Sequence, residues 1–315
     1  MSAGPIFLLG IQRGGTNQVL NLLRSHPATC WPQGELHEIF RPRGLRAEGP
    51  LRALRKLRRY APILLARGDV LDPDRPPRRP DPLAGAPGRA LRTAVEASAA
   101  ANRGAVAAYK AALAERGLVD PAAAADRLVT KAMNYGLALV PDLLALWPDA
   151  RFVGVIRDGR AVCEGHTARG AGLAAAIAAY DFVGRRLIEL EAAGLPLRTW
   201  RFEDLLADAP GTAAAIYAFC GLDRAAARGV CLQDKERIAK AGGGVAGMRK
   251  VAHYYGFEEM GRHMRADANA SALARLPAAA EAEITARCAP VLAHFGYLDG
   301  RLPEKAALTG AGPGH

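Results

Sequence analysis

Phe7-Leu8-Leu9-Gly10-Ile11-Gln12-Arg13-Gly14-Gly15-Thr16-Asn17 is the stretch whose reading decides the fold. A short apolar run ends in a glycine turn that carries one Arg and one Thr. An amphipathic segment follows at once, with Val19, Leu20, Leu22 and Leu23 on one helical face. Strand, glycine loop, helix is the arrangement that cradles a phosphate: glycines let backbone N–H groups approach the anion, and the helix N-terminus adds partial positive charge. A Walker A loop reads G-x-x-x-x-G-K-[ST]. Gly10 and Gly15 keep that spacing, but Thr16 stands where the lysine belongs, and the cation has moved to Arg13. The loop is therefore suited to a phosphate, but not to the β- and γ-phosphates of ATP with Mg²⁺.

Working outward, four apolar runs read as buried strands: residues 6–9, 128–130, 152–156 and 197–202. The second precedes Lys131, the third Arg157-Asp158-Gly159-Arg160, and the fourth Glu203-Asp204. Helical patterns cover 18–25, 137–147, 173–193, 211–220 and 278–295. Alternation of this kind predicts an α/β fold, a P-loop-like central parallel sheet flanked by helices on both faces. Ligands in such sheets bind at the carboxyl ends of the strands, where these charged motifs converge. One domain is expected over residues 1–315. Residues 41–126 read as an insertion capping the acceptor site: a basic helical stretch (51–66), a Pro/Arg run (72–87) and an Ala-rich helical run (91–116). The tail 309–315 is expected to be disordered.

The chain has 315 residues, half of them hydrophobic, and a net charge of +11, which points to anionic ligands. Part of that charge reflects a composition rich in Ala, Arg, Gly and Pro together. The five cysteines are odd in number and lack Cys-x-x-Cys spacing, and no His sits at metal-ligand spacing, so neither a disulfide framework nor a metal site is expected. The apolar run at 6–9 is too short for a secretion signal and lacks a basic leader, and no run approaches membrane-spanning length. A soluble cytoplasmic protein is the expectation.

Several motifs, in order, give a family resemblance. The chain resembles the sulfotransferases that use 3′-phosphoadenosine 5′-phosphosulfate (PAPS), especially the bacterial and Golgi-type branch that includes tyrosylprotein sulfotransferases. That family's 5′-phosphosulfate loop, roughly Gly-x-x-Arg-Ser-Gly-Thr-Thr, is matched by Gly10-Ile11-Gln12-Arg13-Gly14-Gly15-Thr16-Asn17, with His26-Pro27 and Gly34-Glu35 following. Thr130-Lys131-Ala132 matches the element before the third motif. Its 3′-phosphate motif is matched by Trp147-Pro148-Asp149-Ala150-Arg151-Phe152 through Arg157-Asp158-Gly159-Arg160-Ala161-Val162, with Arg169 as its later arginine. Phe202-Glu203-Asp204-Leu205 and Phe295-Gly296-Tyr297 complete the match. There are departures. The motif's serine falls on Gly165, leaving Thr167 or His166 to replace that hydroxyl if the backbone shifts. The loop's second threonine is Asn17, and a tyrosine is Phe202. The C-terminal glycine-rich loop is only loosely suggested by Gly242-Gly243-Gly244 with Arg249-Lys250.

The resemblance implies roles. Sulfuryl transfer needs an in-line acceptor oxygen and cations where charge develops on the leaving phosphate. Arg13 would sit at the phosphosulfate bridge, with Gly14, Gly15, Thr16 and Asn17 around the 5′-phosphate; an N-cap role for Thr16 is equally compatible. Arg157, with Arg169 and the Gly165 position, would hold the 3′-phosphate. Glu35 is the expected general base, with His37 the second candidate. Lys131, after its strand end, would reach the sulfate or the leaving oxygen. Asp158 and Arg160 read as structural, with Asp158 capping the following helix. The cofactor implied is PAPS, with adenosine 3′,5′-bisphosphate (PAP) as product. The acceptor is a small molecule, carbohydrate or natural product, with a lipid head group also open, and no nucleic-acid partner is expected. Two other readings compete: a P-loop kinase, disfavoured by the missing Walker lysine, and a non-enzymatic polyanion-binding protein, for which no recognition signature is present.

Overall fold

The computed structural model describes residues 4–36, 54, 85–121, 125–239, 245–264 and 267–298, with backbone alone for 234–239 and 245–250. The chain begins β1 (Ile6–Gly10), α1 (Thr16–Ser25), β2 (Thr29–Cys30), α2 (Gly85–Ala101), α3 (Arg103–Ala114) and β3 (Arg127–Met133). A 3₁₀ turn (Asn134–Leu139) leads to α4 (Val140–Leu146). Then come β4 (Arg151–Ile156), α5 (Gly159–Thr167), α6 (Leu173–Ala192), β5 (Leu197–Arg201), α7 (Phe202–Ala207) and α8 (Ala209–Cys220). A hairpin, β6 (Gly229–Ala239) and β7 (Val245–Gly256), precedes α9 (Phe257–His263), α10 (Ala268–Leu273) and α11 (Ala278–His294).

Five strands form one parallel sheet in the order β2-β3-β1-β4-β5, and β6 and β7 form a separate antiparallel pair. β1 lies at the centre, with Leu8 opposite Lys131 on one side and Val153 on the other. Alternate residues of β1 enter two cores. Ile6 and Leu8 pack with Val153, Val155 and helices α1 and α8. Phe7 and Leu9 pack with Phe152, Ile156 and helices α4, α6 and α11. Burial on both faces is why these strands read as unbroken apolar runs rather than alternating ones. The carboxyl ends of β1, β3 and β4 meet at Gly10, Met133 and Val155.

The expected parallel sheet covered by helices is what the structure shows. Two element boundaries are corrected. β3 does not stop at residue 130: its ladder with β1 runs on to Gly10–Met133, which puts Lys131 inside the strand. The helix expected over 137–147 divides. Asn134 takes a left-handed conformation (φ 49°), and Pro141 stands in the first turn of α4, where its missing N–H breaks no helical bond.

In the 41–126 region, α2 inserts Leu91 and Val95 into the Phe7 core, and α3 inserts Leu113 into the other. Lys110 of α3 donates to the carbonyls of Arg24 and His26 and, at 3.0 Å, to Thr29 Oγ1, so it satisfies the last carbonyls of α1. Burial pulls its ammonium down to about 7. The basic stretch, most of the Pro/Arg run, the glycine triplet 242–244, His37 and the tail lie outside the described residues, as do the side chains of Arg249 and Lys250. Among the described residues no helix is long and apolar enough to cross a membrane. All five cysteines are free thiols, and burial pushes Cys163 and Cys220 up to about 12.

Candidate active site

The β1–α1 loop is held by segments that follow the two neighbouring strands, the 3₁₀ turn after β3 and helix α5 after β4. Gln12 donates its N–H to Asn134 Oδ1 at 2.9 Å, and His166 Nε2 lies 3.0 Å from Gln12 O. Within the loop the Gly14 N–H bonds Ile11 O at 3.1 Å. Arg13 takes a left-handed φ of 69°, uncommon for a residue with a Cβ and a kind of strain that gathers at functional sites. Gly15 (φ 83°) could not carry a side chain, since a Cβ there would stand 2.2 Å from the Phe202 ring. Gly15, not Thr16, is the N-cap of α1; Thr16 is the first helical residue, and no side chain caps the helix. Its leading N–H groups therefore face the loop as an anion-binding end. Gln18 Oε1, one turn in, is buried without a hydrogen-bond partner.

Arg157 leaves the end of β4 and reaches across this loop. It donates from Nε to Asn269 Oδ1 (2.6 Å), from one terminal nitrogen to Arg13 O (3.2 Å) and from the other to Ala268 O (2.8 Å). Its guanidinium lies 5.3 Å from the centre of the Phe202 ring. Phe202 thus touches both segments, Gly15 on one side and Arg157 on the other. The ionisation of Arg13 is lowered, first by burial and then by Arg169 and Arg157, with Glu164 opposing. Glu164 is itself engaged by Arg275 at 2.6 and 3.0 Å, a pairing that holds its carboxyl below the usual range. Three cations from three segments thus converge, and Glu164, the carboxylate that acts on Arg13, is already paired with Arg275. Gly165 is part of this packing, because a Cβ there would lie 3.2 Å from Arg13 Nε and 3.4 Å from Arg13 Cβ.

Glu203 anchors the rear of the cluster. It accepts from Asp158 N–H (3.2 Å), Asn269 Nδ2 (2.5 Å) and Tyr297 Oη (2.7 Å). Asp158 caps α5 through Arg160 N–H at 2.9 Å and pairs with the Arg160 side chain at 2.7 Å, in line with the structural role read from sequence. Asn269 was not found by motif reading, since α10 lies far from any motif and reaches Arg157 only through the tertiary fold.

On the other side of the loop, Lys131 corrects the expectation of a strand-end lysine. It is 5% exposed, inside β3, and its Nζ lies 2.7 Å from both Glu35 Oε1 and Asn17 Oδ1. The ladder with β1 extends past residue 130 because Leu8, Leu9 and Gly10 remain paired there, and the buried ammonium is stabilised by this carboxylate and amide. Glu35 and Asn17 line a polar cleft of about 530 Å³. The site therefore comprises an uncapped helix end, an arginine cluster and a carboxylate facing a cleft, all at the carboxyl edge of the sheet.

A sequence profile described as the sulfotransferase family matches residues 5–226. The chain belongs to the sulfotransferase family. A comparison with curated proteins gave no match. Among solved structures this sulfotransferase is similar to one from Alicyclobacillus acidocaldarius, at 14% identity over 95% of this chain and 96% of that one, TM-score 0.45. It is also similar to the sulfotransferase domain of the Synechococcus PCC 7002 olefin synthase, at 19% identity over 70% and 73%, TM-score 0.38. A third is sulfotransferase STF1 from Mycobacterium tuberculosis H37Rv, at 16% identity over 91% and 77%, TM-score 0.41.

Proposed function

We propose that this sulfotransferase uses PAPS as donor and passes its sulfuryl group to a hydroxyl or amine of an acceptor seated beside Glu35. The observation that carries the reading is the convergence of Arg13, Arg157 and Arg169 next to the uncapped N-terminus of α1. Two anion subsites side by side suit a 3′,5′-bisphosphate better than a linear triphosphate. The residues present fit the nucleotide: the Gly15 cradle admits no side chain, and no side chain caps the leading N–H groups of α1.

PAPS supplies an activated sulfuryl group whose bridge to the 5′-phosphate breaks as the acceptor oxygen bonds to sulfur. The helix N-terminus and Thr16 bind the 5′-phosphate, and Asn17 keeps Nδ2 to donate while its Oδ1 accepts from Lys131. Arg13 and Lys131 stabilise the charge developing on the leaving oxygen. Arg157, helped by Arg169, holds the 3′-phosphate; its donors pass from Asn269 and Ala268 to the ligand. Glu35 takes the acceptor proton, and His37 is the competing base.

Titration calorimetry tests this. Adenosine 3′,5′-bisphosphate is expected to bind without Mg²⁺, and more tightly than ATP with Mg²⁺. Tight ATP binding with no bisphosphate binding would sink the reading.

A further inference from the structure

The cleft that Glu35 lines has a lining that narrows the acceptor. Asn21, Gln33, Asn102 and Gln233 reach it from four separate segments: α1, the loop after β2, the link between α2 and α3, and β6. Each carboxamide offers both a donor and an acceptor, and a sugar hydroxyl needs both at once. Asn21 lies one turn below Asn17 on the same helical face. It is 6% exposed and lines the cleft. Its amide, like the others that line the cleft, offers a paired donor and acceptor to a ligand there. Asn102 spends its Nδ2 on Trp31 O at 3.0 Å and keeps its carbonyl oxygen to accept. The cleft's aromatic wall is already engaged: the Trp31 ring has Arg24 at 5.2 Å and Lys110 at 5.1 Å, and it meets Tyr109 edge-on. A flat phenol finds little stacking surface there. The volume, about 530 Å³, lies in the range of small-molecule sites.

We propose that the acceptor is polyhydroxylated, a saccharide-like ring whose neighbouring hydroxyls are held by Asn21, Gln33, Asn102 and Gln233 while one of them meets Glu35. The proposal rests on the reading of Glu35 as base and of the nucleotide as donor. A free oligosaccharide and a glycosylated natural product share this chemistry.

The test gives the full-length chain ³⁵S-labelled PAPS with four probes: cellotriose, p-nitrophenyl β-glucoside, p-nitrophenol and a tyrosine peptide. Binding of bisphosphate is measured first, and binding of the two sugars in its presence second, by calorimetry. Label is expected on the sugars and not on the phenol or peptide. Acceptance of cellotriose indicates a free saccharide, and acceptance of the glucoside alone a glycosylated acceptor. Asn21→Leu and Gln233→Leu are each expected to raise KM for the sugar at least tenfold while bisphosphate affinity stays constant; Gln233, only half-buried, guards against a folding defect at Asn21. Label on the phenol or peptide alone overturns the proposal, as do sugars that neither bind nor accept label, or sugar transfer indifferent to both variants. Failure of bisphosphate to bind sinks the donor reading itself, and this proposal with it.

Discussion

Lys131 Nζ and Glu35 Oε1 lie 2.7 Å apart, joining the second strand from the sheet's edge to a segment that lines the polar cleft. The pair is unequal: the lysine side chain is 5% exposed and the glutamate 28%. Removing the carboxylate leaves a buried cation with one amide for company. Glu35→Gln is therefore expected to lower turnover about 100-fold or more, the usual worth of a general base, while bisphosphate affinity stays near that of the parent. The same variant is expected to lose about 1–3 kcal/mol of stability, below the full cost of breaking a buried pair because Glu35 is partly hydrated. Adding Lys131→Met to it should restore stability in urea titrations without restoring activity. Full turnover in Glu35→Gln would transfer the base to His37.

Arg157 is the second test. Its guanidinium holds Ala268 and Asn269 as well as the loop carbonyl of Arg13. Arg157→Ala is expected to weaken bisphosphate binding by about 10- to 100-fold, in keeping with hydrogen bonds to a charged group. Arg157→Lys should recover little of this, because an ammonium cannot reproduce the planar fork. Calorimetry reads both. An Arg157→Ala protein that binds the bisphosphate as the parent does would remove Arg157 from the 3′-phosphate site.

Much of this site could be read from the sequence, for a local reason. Arg157 sits directly after an apolar run and Arg13 in the loop three residues past the end of β1, and in a parallel sheet a strand's end fixes where the next residues stand. Lys131 was misplaced because three apolar letters do not reveal where a ladder stops; pairing with β1 does. His26-Pro27 served as a family marker, yet the fold gives His26 a further task, a bond from Nε2 to Asp223 O, 197 residues away. Asn21, Gln233 and Asn269 carried no sequence signal. An amide in a helix or strand becomes a site only when other elements surround it.

Gly165 tests the departure from the family's serine. The fold uses the missing Cβ to seat the Arg13 side chain, at distances tighter than ordinary contact. Gly165→Ser is expected to keep or slightly raise thermal stability, since Gly inside a helix costs about 0.5–1 kcal/mol. It should also slow turnover several-fold by displacing Arg13. Unchanged turnover together with tighter bisphosphate binding would show that Arg13 yields freely and that the serine contact outweighs its shift.

His26 gives a prediction in pH. Its ring is 2% exposed, Nδ1 accepts from Ala28 N–H at 3.2 Å, and Nε2 therefore carries the proton donated to Asp223 O at 2.9 Å. A second proton would have to enter at Nδ1, against an N–H donor. Burial lowers the imidazole's ionisation below its ordinary value, with the Lys110 charge adding to the effect and the Asp223 carbonyl opposing it. The unfolded chain takes up a proton as pH falls through about 6.5, whereas the folded chain waits for a lower pH. Between those two points the unfolded state binds more protons, so stability falls as pH falls and levels off below the folded value. His26→Gln, which keeps a donor for Asp223 but does not titrate, is expected to flatten the dependence of unfolding free energy on pH below about 6.5 relative to the parent. Urea titrations across that range decide the matter: equal slopes in the two proteins would mean that folding does not shift the ionisation of His26.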